Sequence, residues 1–472
     1  MVDIPSRTAS DLASAIAAGH VSAETVMAAF LDRIAALNPA LNAIVSLRPA
    51  EALLAEARAA DAAGPRGPLH GLPVAVKDLV ATKGLRTTYG SPLYADFVPA
   101  ADDLVAERMR AAGAIFIGKT NTPEWGQGSH SFNPVHGVTR NPYDRALSAG
   151  GSSGGAAAAL AARMVPLADG SDMMGSLRNP AAFCNVYGFR PTWGLIPQDA
   201  TGDTYLATLA TDGPMARTPE DLLLLLRVLA GPSPAVPFCR TDALPDRLDP
   251  ADCRGLRIGW LGDWGGAYPM EEGILATVEG ALRTLEGLGA QVEPVAPPYP
   301  AERLWSAWIT LRAMLNAGAK RALWEDPAKR ALLKPETQWE IEQGLGLTAQ
   351  AVYEASEVRS RWHVRAARLF ERYDALILPS AQVWPFPAGW RWPEAITGHR
   401  MDTYHRWMEV VVPVSLIGLP ALAAPAGFGP AGLPMGFQIF GPQGSDARLL
   451  SIGAAWHRAT DWPGRRPPAL LS

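Results

Sequence analysis

From end to end, this 472-residue sequence alternates long stretches of helical apolar spacing with short apolar runs that stand beside glycine. Leu12, Ile16, Val26, Phe30 and Ile34 recur at helical intervals from Thr8 to Leu37, with a break at Gly19-His20. A second helix is predicted over Pro49 to Ala63, and others over Asp103–Ala112, Gly155–Ala162, Glu220–Ala230, Glu272–Leu288, Ala301–Ala317 and Thr348–Tyr373. Between them lie Leu72–Val76, Ala114–Ile117, Leu256–Trp260 and Ala375–Leu378, short enough for strands and too apolar for exposed ones. Such alternation predicts an α/β fold, a large mixed β-sheet core flanked by α-helices. Residues 1–472 are expected to form a single domain, with the Pro-rich connector 231–250 as the best candidate for an internal boundary. The segment Asn121 to Gly194 is rich in glycine and loops, broken by one alanine helix, and function concentrates in such segments.

Charge and composition exclude several classes. A net charge of -4 without runs of like charge supplies no field for nucleic acid or an anionic membrane surface. The longest apolar stretches are far shorter than a membrane span, so no membrane association is expected. The N-terminus carries an early acid and a proline rather than a basic region leading into an apolar one. Three cysteines, Cys184, Cys239 and Cys253, lack paired metal-ligand spacing, and no histidines form a zinc-binding pair. The expectation is a cytoplasmic protein with no metal and no cofactor.

Two motifs look informative and lack their context. Gly113 to Thr120 matches the spacing of a phosphate loop, but Ala114–Ile117 reads as a strand, where that loop needs a flexible turn into a helix. Gly150-Gly-Ser-Ser-Gly154 satisfies a nucleophile elbow, yet the preceding residues, Asn141 to Ser148, form a polar turn instead of a buried strand. His363, His399, His405 and His457 remain available to that reading.

Only six of the 42 basic residues are lysines. Lys77 closes the apolar run Gly71-Leu-Pro-Val-Ala-Val76, so burial would favour its neutral amine and make it usable as a base. A structural lysine that snorkels or pairs with Asp78 is the competing reading.

The block Ser148-Ala-Gly-Gly-Ser152-Ser-Gly-Gly-Ala156 is followed by Asp169-Gly-Ser-Asp-Met-Met-Gly-Ser176-Leu-Arg-Asn-Pro180, and Lys77 precedes Ser152 by 75 residues. With Gly118–Glu124, Tyr187–Thr192, Gly418–Ala423 and Gly432–Gln438, these segments resemble the amidase signature family over most of the chain. The resemblance implies that Ser176 is the nucleophile, Ser152 relays the proton on a cis peptide after Gly151, and Lys77 is the terminal base. It also implies an oxyanion hole from the backbone amides of Met173, Met174, Gly175 and Ser176, supported by Ser153, Asp172 and Arg178. Many relatives carry glycine where Met174 stands. Trp125, Gln127, Trp384, Trp390 and Trp392 are expected pocket walls, whereas Trp305 and Trp308 fall at core-facing helical spacing.

The activity expected is hydrolysis of a carboxylic amide through an acyl-enzyme, with aryl amides, esters and carbamates as substrate classes. Expected partners are a small-molecule amide and, at most, a second copy of the chain in a homodimer. The alternatives are the glutamine-hydrolysing subunit of a tRNA-dependent amidotransferase and an inactive binding protein of the same fold. The first would need a polar pocket that clamps a carboxylate. Val383 to Trp392 looks too apolar for that, although Arg391 leaves it open.

Overall fold

A computed structural model describes residues 3–198 and 202–471. The first predicted helix is two, Ala9–Ala17 and Ala23–Leu41, because Gly19 turns the chain at φ 70° and two hydroxyls start the helices. Thr8 accepts from the Asp11 amide and Ser22 from that of Thr25, each meeting a donor the helix leaves unpaired.

Eight strands form the main sheet in the order Gln291–Pro294, Arg257–Trp260, Ala375–Pro379, Pro434–Phe440, Ala421–Phe428, Tyr187–Arg190, Thr211–Ala216, Leu167–Asp172. Arg257–Trp260 runs parallel to both its neighbours, and the remaining pairs are antiparallel, so the sheet is mixed as the sequence predicts. Strands from both sides of 231–250 join it. A second sheet, Ile44–Val45, Ile115–Thr120 and Pro73–Lys77, has Ile115–Thr120 at its centre. Among the described residues, no helix is long and apolar enough to cross a membrane.

The alanine helix Gly154–Ala161 touches strands of both sheets, and all eight of its residues are buried. Its composition follows from that position. A Cβ on Gly155 would overlap the Asn121 amide nitrogen, so only glycine lets the helix reach this strand end.

Three expectations are corrected. The stretch 121–194 holds the strands Leu167–Asp172 and Tyr187–Arg190 and the helix Arg178–Cys184, in addition to the alanine helix. Leu167-Ala-Asp-Gly-Ser-Asp172 hides its strand character because its buried positions carry two acids and a glycine, where alternation would call for apolar side chains. The helix predicted over Ala301–Ala317 continues to Glu325; its apolar stripe ends, but an Arg321–Glu325 pair at 2.7 Å, one helical turn apart, supports the extension. The structure also has strands Ala421–Phe428 and Pro434–Phe440 and a helix Asp446–Thr460 in a region without predicted elements.

Candidate active site

Lys77 ends the strand Pro73–Lys77 with a fully buried side chain. Its backbone amide donates to Asp169 Oδ1 at 3.0 Å, which ties the small sheet to the edge strand of the large one. Its Nζ lies 2.8 Å from Ser152 Oγ, 2.8 Å from Ser153 Oγ and 3.0 Å from Ser171 Oγ. An ammonium donates to all three hydroxyls. A neutral amine donates to two and accepts from the third, so both protonation states are satisfied without rearrangement. Burial lowers the Lys77 pKa from 10.5 to about 8, against the pull of Asp169, Asp212 and Asp172 in the other direction. The pairing with Asp78 considered from sequence does not form: Asp78 accepts from the Thr88 amide and hydroxyl.

Ser152 and Ser153 stand at the start of the alanine helix, and the Gly151–Ser152 peptide is cis. Neighbouring hydroxyls hold this loop: Ser129 Oγ donates to Gly151 O at 2.5 Å, and Ser131 Oγ accepts from the Gly154 amide at 3.1 Å. The Ser153 amide donates to the Ser176 carbonyl at 3.2 Å, which brings the second serine segment alongside the first.

Ser176 follows the strand Leu167–Asp172 through a tight turn whose centre, Gly175, sits at φ 79°. A side chain there would be strained and would overlap Asn179 Oδ1. Asp172 organises the turn. It accepts from the amides of Gly175 at 2.8 Å and Leu177 at 3.1 Å, and pairs with Arg178 through Nε at 3.0 Å and Nη2 at 2.9 Å. Burial opposes its ionisation, but Arg178 and Arg190 overcome that and hold the carboxyl well below the ordinary carboxylate range. Arg178 Nη1 donates to Val411 O and Gln438, and Nη2 donates also to the Ser415 hydroxyl, so this wholly buried guanidinium is saturated.

The Gly175 amide is thus committed to Asp172, and this corrects the expected set of four converging amides. The amides of Met173, Met174 and Ser176 have no protein acceptor among the described residues. Met174 is almost wholly buried, so its side chain fills space in the wall.

Ser152, Ser171 and Ser176 share one cavity of about 870 Å³. Leu79, Trp125, Met173, Met174, Met314 and Met408 give it apolar walls, and Gln127, Asn316, Arg312 and Lys320 line another part. Trp125 stands in the wall at φ 55°, stacked on Tyr89 at 5.4 Å. Gln127 lines it too, but its amide is spent on Asn316 at 3.1 Å, Glu340 at 3.0 Å and the Thr337 hydroxyl.

The other tryptophans named from sequence lie elsewhere. Trp384 covers Gly429 and donates to Glu272 O at 3.0 Å. Trp390 is 52% exposed against Phe386, and Trp392 lines a separate hollow with Trp339 and Arg391. The proline-rich loop that carries them buries Val383, Phe386 and Ala388 and exposes Trp390, away from this cavity. Trp305 and Trp308 are buried in the core, as their spacing predicts. Lys119 of the apparent phosphate loop is a buried lysine on a strand that donates to Val80 O at 2.5 Å and Thr82 Oγ1 at 2.9 Å. None of His363, His399, His405 and His457 lines the cavity.

Ser171 and Asp169 were not singled out from sequence. Both sit on one strand two residues apart, and that period of two would have put them on the Lys77 side together.

A family model described as Amidase matches residues 25–450. The chain belongs to the amidase signature family. A glutamyl-tRNA(Gln) amidotransferase subunit from Thermus thermophilus is 38% identical, over 96% of the amidase and 97% of that relative. An acylamidase from Rhodococcus erythropolis is 34% identical over 98% of each chain. Among solved structures, a bacterial aryl acylamidase of the amidase signature family superposes with TM-score 0.88 and 28% identity, over 98% of the amidase and 99% of its own chain. Members of the family are amide hydrolases, and this chain is an amidase of that class.

Proposed function

We propose that the amidase hydrolyses small carboxylic amides through an acyl-enzyme on Ser176, with Ser152 as proton relay and Lys77 as terminal base. The observation that carries this reading is the buried amine 2.8 Å from the Ser152 hydroxyl, at a cavity that Ser152 shares with Ser176. Ser176 Oγ attacks the carbonyl carbon as its proton passes to Ser152 and the Ser152 proton to Lys77 Nζ. The tetrahedral oxyanion collapses, and the amine leaves with the proton returned along the same path. Water then attacks the ester, gives up its proton by the same route, and the acid departs as Ser176 regains its own. The unpartnered amides of Met173, Met174 and Ser176 support an oxyanion site on this turn. Esters and carbamates present the same carbonyl to the same groups. Three free cysteines are in keeping with a reducing, cytoplasmic setting.

One observation favours a second reading, the glutamine-hydrolysing component of an amidotransferase: the 38% identity to the Thermus relative over nearly the whole of both chains. The isolated amidase, assayed against anilides, primary amides and glutamine, separates the two. Turnover of anilides or simple amides by the chain alone supports the proposal. Inertness alone, with ammonia released from glutamine once a partner protein is added, replaces it with the second reading.

A further inference from the structure

Three charged residues among those described line the cavity, Asp203, Arg312 and Lys320, and they are not equivalent. Asp203 accepts from the amides of Leu206 at 2.8 Å and Tyr205 at 3.4 Å, so its charge is turned into its own loop. Arg312 pairs with the buried Glu340 at 2.6 Å and donates to the Tyr404 hydroxyl at 2.9 Å. Glu340 in turn is shared by Arg312, Tyr404, Gln127 and Asn316, which leaves that cluster neutral and the carboxylate fully subscribed. The remaining guanidinium nitrogen, Arg312 Nη1, finds only the Met173 sulfur at 3.2 Å, a weak acceptor for a charged donor.

Lys320 is the uncompensated member. Its Nζ donates to Asn316 Oδ1 at 2.7 Å and lies 5.9 Å from the centre of the Trp125 ring. Among the described residues no carboxylate stands within ion-pair distance of it, in contrast to Lys329, which pairs with Asp326 at 3.3 Å. An ammonium with donors to spare, on the wall of the cavity that holds Ser152 and Ser176, needs an anion to complete its shell. The aromatic wall beside it suits a flat or apolar spacer.

We propose that Lys320 and the under-used Nη1 of Arg312 select amides that carry a carboxylate remote from the scissile bond. This rests on the cavity being the substrate site. It differs from the sequence expectation, where the one cation considered for such a role was Arg391. That residue is bound to Glu336 at 2.5 and 2.7 Å and does not line the cavity.

The test uses isosteric pairs that place the charge on either side of the amide. On the amine side, para-acetamidobenzoate is compared with the acetanilide bearing a para-isopropyl group. On the acyl side, succinic monoanilide is compared with isohexanoyl anilide. For at least one pair, kcat/KM is expected to favour the acid by about tenfold or more, the scale of one hydrogen bond to a charged group. Lys320→Met should reduce that ratio about tenfold, and Lys320→Arg should retain most of it. A ratio at or below one for both pairs, or a ratio unchanged in Lys320→Met, overturns the proposal. Calorimetric binding of the same pairs to Ser176→Ala reads the preference without turnover. If the wild type hydrolyses neither anilides nor simple amides, the proposed function fails, while the acid-to-neutral ratio of dissociation constants still decides the role of Lys320.

Discussion

The buried amine of Lys77 sets a pH profile that can be worked out in advance. If the neutral form is the active one, kcat/KM follows the deprotonated fraction of the free enzyme. With a pKa of about 8, that fraction is about one hundredth at pH 6, one half at pH 8 and nearly unity at pH 10. The rate on a neutral anilide should therefore rise about ninetyfold between pH 6 and pH 9 and then level off. An amine left at its ordinary 10.5 would give a tenfold rise per pH unit with no plateau below about pH 10. Lys320 complicates the reading, because burial lowers it to about 8 as well. Initial rates should accordingly be measured across this range for the wild type and for Lys320→Met. The rising limb should persist in Lys320→Met and vanish in Lys77→Ala, which should also lose orders of magnitude in rate. Lys77→Arg should not rescue it, since a guanidinium holds its proton. Circular dichroism must show the Lys77 variants folded. A flat profile or a folded Lys77→Ala with the wild-type rate would refute the assignment of the base, and a limb that climbs past pH 10 would refute the lowering of its pKa by burial.

Ser176→Ala should abolish turnover, and intact-mass analysis after a fluorophosphonate should find a single adduct, placed on Ser176 by peptide mapping. Because hydroxyl and amine chemistry needs no metal, activity should survive exhaustive EDTA or phenanthroline; loss with recovery on zinc would exclude the mechanism. Asp172→Asn leaves Arg178 and Arg190 buried without their counter-charge, so denaturant unfolding should show a loss of about 3–5 kcal/mol. Gly175→Ala forces a side chain into a left-handed turn against Asn179, costing about 1–2 kcal/mol for the backbone alone; melting temperature and kcat should both fall.

The sequence revealed most where apolar period and structure agree. Pro73–Lys77, Ile115–Thr120 and Ala375–Pro379 are strands close to where their apolar runs lie, and the long helices carry the stripes that predict them. It revealed least where the site replaces apolar residues with polar ones. Asp169, Ser171 and Asp172 are strand residues, but their burial is made tolerable by Lys77, more than ninety residues away, and by Arg178 and Arg190 on the elements that follow the strand, partners that periodicity cannot see. Gly175 shows a second limit. The family resemblance implied that its amide, with those of Met173, Met174 and Ser176, donates to substrate, and only the fold reveals that Asp172 has taken it. Trp384, Trp390 and Trp392 show a third, since residue type alone does not say which wall of a large molecule a tryptophan covers.

The amine, the two serines and their turns all fall between Lys77 and Ser176, whereas Arg312, Asn316 and Lys320 come from one later helix, Ala301–Glu325. On the proposed roles, the bond-breaking groups and the cationic part of the cavity wall are thus encoded in separate stretches of gene. On those roles, changes along that helix should alter the preference for charged amides without touching Lys77, Ser152 or Ser176. Laboratory diversification has a natural window there, and grafting the corresponding helix from a relative with a different amide preference is a direct route to new specificity.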